Sequence, residues 1–184
     1  MRKLKYEEIF EKRPTLAELS ELPRYPIHGL LENVRSLYNV GSVFRTSDAV
    51  RLEGLYLTGY TGRPPRREID KTALGAVDSV AWHHYNNPID AVNMLKSKDV
   101  QILALEHTTE SSRYDLFSYT FPLCVLFGNE VDGLSEGLVE VADAAIEIPM
   151  YGIKQSLNIS VSYGIVMYHI LNQYLQMKTM DKLR

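Results

Sequence analysis

Apolar positions along this chain change period several times, and the changes mark out the elements. Residues 4–13 place Leu4, Ile9 and Phe10 among charges, which predicts a short helix with a narrow apolar stripe that Pro14 ends. Thr15 followed three residues later by Glu18 is a capping box for a second helical piece. Pro23 and Pro26 then mark a linker, so residues 1–25 read as a helical appendage and 26–184 as the main domain. From Pro26 onward, short apolar runs alternate with helical periods. Strands are predicted at 27–31, 54–59, 81–85, 100–105, 123–127 and 144–148. Helices are predicted at 40–50, 72–77, 89–96 (Ile89, Val92 and Leu95 on one face) and 135–141, with a long helix opening near Ser156 as its N-cap. Strand–helix alternation of this kind predicts an α/β fold: a mostly parallel, roughly six-stranded sheet with helices on both faces.

The last helix carries more apolar surface than one contact needs. Leu157, Val161, Gly164, Tyr168, Leu171 and Leu175 step by three and four, and so do Ile159, Tyr163, Val166, Ile170, Tyr174 and Met177 on another side. One stripe packs on the sheet. The other is either buried deeper in a monomer or meets a second copy, and the expectation is a homodimer.

Composition narrows the class. A chain of 184 residues, 45% hydrophobic and 23% charged, is one soluble globular domain. Its net charge of −3 and pI near 6.0 weigh against a broadly basic nucleic-acid binder, although local clusters override a mean. The single cysteine, Cys124, lies in the apolar run PLCVLF and reads as core. The charged N-terminal stretch has no signal-peptide pattern and no run is long enough to span a membrane, so a cytoplasmic, non-membrane protein is expected.

Common nucleotide and hydrolase signatures are missing. No GxGxxG follows the first strand, and there is no GxxxxGK[ST], HExxH or GxSxG. The five histidines and one cysteine have no metal-ligand spacing, so no metal is expected. Three strand-to-helix junctions remain. NVGSVFRTSDA (39–49) has Asn39 as a candidate cap, and Gly41 one turn before Arg45, where a missing side chain would let a ligand approach. FGNEVDGLSEG (127–137) leaves a buried strand through Gly128 with Glu130 in the loop. PMYGIKQSLNISVSYGI (149–165) sets Ser156 and Asn158 at a helix mouth. Each alone also suits an ordinary turn or surface residue. Carboxyl ends of parallel strands line one edge of a sheet, and that puts all three near one crevice.

Read in order, NVGSVFRTSDA, LFGNEVDGLS and IPMYGIKQSLNISVSYGI resemble the SpoU–TrmH class of SPOUT RNA methyltransferases, over about residues 30–171. The resemblance implies methyl transfer from S-adenosylmethionine to a ribose 2′-hydroxyl of RNA, a C-terminal trefoil knot that periodicity cannot reveal, and an obligate homodimer with the last helix in its interface. Compact size points to tRNA rather than rRNA; a non-catalytic RNA- or cofactor-binding relative is the alternative. By the same resemblance Arg45 is the catalytic arginine, Asn39 its positioning partner, Glu130 the second-motif glutamate, and Ser156 and Asn158 the polar pair of the third. The cofactor is expected against Leu105, Glu106, Gly128, Ile148, Met150 and Leu157. An arginine holds its proton too tightly to serve as base, so Arg45 is expected to orient the ribose and stabilise developing oxyanion charge while a substrate phosphate assists proton removal. Val131, Asp132 and the bulky Tyr163 depart from the small residues often seen there. RNA contacts are expected from Arg63, Arg66, Arg67 and Lys71, and secondarily from Arg2, Lys3 and Lys5; the alternative for both clusters is a solvated charged surface.

Overall fold

The computed structural model describes residues 1–181. Seven strands, every pair parallel, form one sheet: β1 (Tyr25–Glu32), β2 (Leu52–Thr58), β3 (Trp82–Tyr85), β4 (Gln101–Leu105), β5 (Ser112–Arg113), β6 (Leu123–Phe127) and β7 (Ala144–Glu147). Their order is β3-β2-β1-β6-β4-β7-β5. Strand β6 is LCVLF, buried throughout, as a central strand covered on both faces must be. The seventh strand exceeds the expected six because two residues of the Ser/Thr-rich loop, Ser112 and Arg113, pair with Ile146 and Glu147.

One face is covered by α3 (Leu37–Ala49), α4 (Arg67–Ala73), α5 (Ala76–Ser79) and α8 (Ile159–Asp181), the other by α6 (Pro88–Lys96) and α7 (Glu136–Val141). The expected helix at 72–77 is instead two, because Leu74 and Gly75 both take positive φ, 51° and 89°, and break the ladder between α4 and α5. Helix α3 starts three residues earlier than predicted: Ser36 is its N-cap, accepting from the Asn39 N–H at 3.3 Å, so Asn39 is not the cap. Helix α8 begins at Ile159. Its opening turn is held by Asn158, whose Oδ1 accepts from the Ser160 N–H at 2.9 Å, while Ser156 lies exposed in the preceding loop. Gly41 serves packing: a Cβ there would collide with Thr72 and the Ile69 carbonyl, so its small size admits α4, not a ligand beside Arg45.

Tyr163, the departure from a small residue, is fully buried because β1 offers a slot. Gly29 lies beneath its ring, where a Cβ would stand 2.8 Å from the phenol oxygen. That oxygen and Ser47 share a hydrogen bond of 2.7 Å. Residues 114–121, in the loop between β5 and β6, lie over α8: Tyr114 and Tyr119 pack on His169, and Phe121 on Tyr174. Helix α8 thus returns from the β7 side to reach α3 and β1 beneath that loop, a path consistent with the expected trefoil. Helices α1 (Tyr6–Phe10) and α2 (Leu16–Glu21) bury no residue, and the Thr15–Glu18 capping box is formed.

Candidate active site

The carboxyl ends of β4, β6 and β7 open on a cavity of about 540 Å³, walled by the segments 105–107, 127–133, 147–150 and 155–162. This lies within the roughly 300–1,000 Å³ of small-molecule sites. Leu105, Phe127, Ile148, Met150, Leu157 and Ile159 give it apolar surface. Among the described residues its charged lining is Glu106, Glu130, Asp132 and Glu147, with His107 the one basic side chain and no Arg or Lys.

The second-motif loop is closed on itself. Asn129 and Gly133 exchange backbone hydrogen bonds of 2.9 and 3.0 Å, and Gly133 has φ 71°. A Cβ on Gly128 would collide with the Gly133 backbone, so only glycine permits the closure. Glu106 receives the Leu134 N–H at 3.0 Å, and Asn129 donates to the Asn33 carbonyl and to Tyr60 Oη at 2.8 and 2.7 Å.

Three motifs are joined by one chain of side-chain hydrogen bonds. Glu130 accepts from the backbone N–H groups of Arg35 and Ser36, at 3.0 and 3.1 Å, just ahead of α3. It also accepts from the Asn39 amide at 3.0 Å. The Asn39 oxygen in turn accepts from the Asn158 amide at 3.2 Å. Burial alone would raise the Glu130 pKa. The bonds from Arg35, Asn39 and Ser36 outweigh it and hold the carboxyl below its ordinary value, hence ionised and acceptor-only. That charge fixes the Asn39 amide with its nitrogen toward Glu130 and its oxygen toward Asn158.

The structure therefore brings together Asn39, Glu130 and Asn158, with Leu105, Glu106, Gly128, Ile148, Met150, Ser156 and Leu157 in the cavity wall. It does not bring Arg45 there. Arg45 lies six residues along α3 from Asn39, about 9 Å of helix rise, on the exposed side and without a hydrogen bond or ion pair among the described residues. Arg63, Arg66, Arg67 and Lys71 are exposed, and the first two line a separate cavity with Tyr60 and His84. There Arg63 lies 2.6 Å from His84 Nδ1, in a lining that holds no carboxylate among the described residues. Arg2 is paired with Glu8 at 2.5 Å in the appendage. Sequence reading missed Asn129, His107 and Glu147; the last two flank strand ends but belong to no motif.

An all-parallel sheet whose carboxyl-edge cavity is bound together by these three motifs fits the class of SpoU-type methyltransferases. The chain belongs to the SpoU rRNA methylase family, whose model matches residues 26–168. It is 34% identical over 167 residues to a tRNA (guanosine(18)-2′-O)-methyltransferase of Aquifex aeolicus, covering 90% of this chain and 78% of that protein. The namesake from Thermus thermophilus is 32% identical over 84% of this chain and 79% of its own. Among solved structures, the A. aeolicus TrmH/SpoU tRNA modifying enzyme superposes with a TM-score of 0.80 at 31% identity, over 94% of this chain and 85% of that one. An AdoMet-bound rRNA methyltransferase of Sinorhizobium meliloti gives 0.77 at 29% identity, over 85% and 60%.

Proposed function

We propose that this protein transfers a methyl group from S-adenosylmethionine to a ribose 2′-hydroxyl of RNA, and that the RNA is tRNA. The observation that carries the cofactor assignment is the wall itself: among the described residues it has four carboxylates, no Arg or Lys, and an apolar lining. A phosphate-bearing nucleotide would meet uncompensated negative charge there, whereas a cofactor with a sulfonium and an ammonium finds complementary charge. Leu105, Ile148, Met150 and Leu157 offer apolar surface for an adenine, beside main chain freed of side chains at Gly128. When bound, the cofactor supplies a methyl group already activated by its sulfonium.

The chain's own residues then act by position. Glu130 fixes the Asn39 amide, and Asn39 fixes Asn158 at the mouth of α8, so a ribose placed there meets oriented amides rather than mobile ones. Arg45 stands outside its own cavity, so we place it at the mouth of a second copy's cavity. The exposed stripe of Val161, Tyr168 and Leu175 on α8, with Leu157 just ahead of the helix, adjoins the exposed side of α3 with Tyr38 and Arg45, and this joined surface is the homodimer interface of the proposal. Arg63, Arg66, Arg67 and Lys71 hold RNA phosphates.

Labelled-methyl transfer to tRNA and rRNA fractions, followed by mapping of 2′-O-methyl sites, tests the reading. Guanosine 18 is the first tRNA position to inspect, from the names of the relatives. Transfer to tRNA is the expected result; binding of cofactor without transfer to any RNA would overturn catalysis. Val161→Glu should shift the protein to a monomer in sedimentation. Mixing Arg45→Ala with Asn158→Ala protein should restore activity that neither has alone; no recovery would place Arg45 in its own chain's site.

A further inference from the structure

The loop from 149 to 157, which forms one wall of the cavity, is held by almost nothing. Tyr151 and Ile153 are 86% and 101% exposed. Among the described residues, the loop's one hydrogen bond is from His107 Nε2 to the Gln155 carbonyl, at 3.2 Å. The other ring nitrogen, Nδ1, lies 3.1 Å from Glu147 Oε2, which also accepts from Ser111 Oγ at 2.9 Å. Both partners of the ring are acceptors: a main-chain carbonyl has no proton to give, and neither has an ionised carboxylate. A neutral imidazole carries one N–H and satisfies one of them. The imidazolium satisfies both. The bonds from His107 and then Ser111 hold the Glu147 carboxyl below its ordinary value, which keeps that partner ionised.

We propose that His107 is a positioning residue of the cofactor site, whose ring clasps Gln155 to Glu147 and so closes the 149–157 wall. The clasp joins the end of β7 to a loop that otherwise hangs from its two ends. Its other charged neighbours are Glu106, whose Oε1 accepts the His107 N–H at 2.9 Å, and Lys154, next to Gln155 in the chain. The link to affinity rests on the reading of this cavity as the S-adenosylmethionine site.

Two measurements separate the clasp from that reading. Tryptic cleavage after Lys154 in the ligand-free protein, normalised to cleavage after Lys12 in the appendage, reports the loop alone. Wild type should be nicked at least about fivefold more slowly than His107→Ala. His107→Gln, which keeps a donor for the Gln155 carbonyl, should recover part of that protection. Because the His107 ring is half exposed, these variants should unfold at the wild-type temperature, which would mark the change as local. Calorimetry with S-adenosylhomocysteine should show severalfold weaker affinity in His107→Ala than in wild type. Wild-type-like protection of Lys154 in His107→Ala overturns the clasp. If S-adenosylhomocysteine fails to bind wild type, the cofactor reading fails, and the nicking result still decides the clasp.

Discussion

Asn39→Asp is the sharpest probe of the chain that joins the three motifs. The substitution keeps the shape of the side chain and its acceptor toward Asn158, but replaces the amide nitrogen facing Glu130, at 3.0 Å, with a carboxylate oxygen. A hydrogen bond to a charged acceptor is lost, worth about 1 kcal/mol at so exposed a position. Two carboxylates then face each other at that distance. Coulomb's law gives about 1.4 kcal/mol of repulsion at the dielectric of water and roughly four times that at an effective constant near 20. Glu130 is exposed, so the lower figure applies, and the total loss is about 2 kcal/mol near neutral pH. The pH dependence gives the cause away. In wild type the Glu130 pKa is lowered on folding, so its contribution is present above the unfolded carboxylate value near 4.3 and fades only as pH falls through the lower folded value. In the variant one of the facing carboxylates has its pKa raised on folding, so the deficit is present above that raised value and shrinks as pH falls from about 7 to 5. Urea unfolding of both proteins across that range measures the difference; titration of other groups is common to both and cancels. Equal stability near neutral pH, or a deficit that stays constant to pH 5, would refute the hydrogen-bonded chain.

Ser47→Ala or Tyr163→Phe alone leaves one hydroxyl of a buried pair unpartnered and should cost about 1–3 kcal/mol of unfolding free energy, while the double variant recovers part of that loss. Gly128→Ala forces apart the Asn129–Gly133 closure; calorimetry should find S-adenosylhomocysteine binding at least about tenfold weaker, since a strained loop replaces a fixed wall. His28 is buried with Nδ1 unpartnered, and burial, then Lys98 and His83, depress its pKa to about 4. Its folded pKa lies below the unfolded one, so its stabilisation is complete above about pH 6.5 and is lost as pH falls toward 4, on the order of 3 kcal/mol. Thermal unfolding of His28→Phe between those pH values should be flatter than wild type.

The sheet was legible because its central strands are continuous apolar runs: the predicted strands lie within a residue or two of their observed ends, and β6 coincides. The two-residue β5 carries no pattern and owes its pairing to β7 alone. The break between α4 and α5 was not legible either, since it lies in a left-handed leucine that no propensity announces. Ser156 and Asn158 are both good caps two residues apart, and the choice between them is tertiary: Asn158 also reaches Asn39. For Arg45 the helical period showed a shared side with Gly41 but not which side the cavity takes; six residues carry Asn39 and Arg45 to different sides of α3. The acidity of the cavity is a gathering of carboxylates from separate segments, invisible in a net charge near zero.

Because every strand runs the same way, the two edges of the sheet are separate addresses. Strand β1, eight residues and about 26 Å long, starts where Arg24 donates to the carbonyls of Leu52 and Ser79, and ends beside the second motif. Helix α2 rests on α5, at the starting edge. The spacing is several times the reach of a lysine or arginine. RNA bound by Arg2, Lys3 or Lys5 near that edge would have to wrap the full height of the sheet to enter the cavity of the same molecule. An affinity handle or dye carried by the appendage accordingly sits out of the substrate's way, and immobilising the protein through it presents the cavity edge outward.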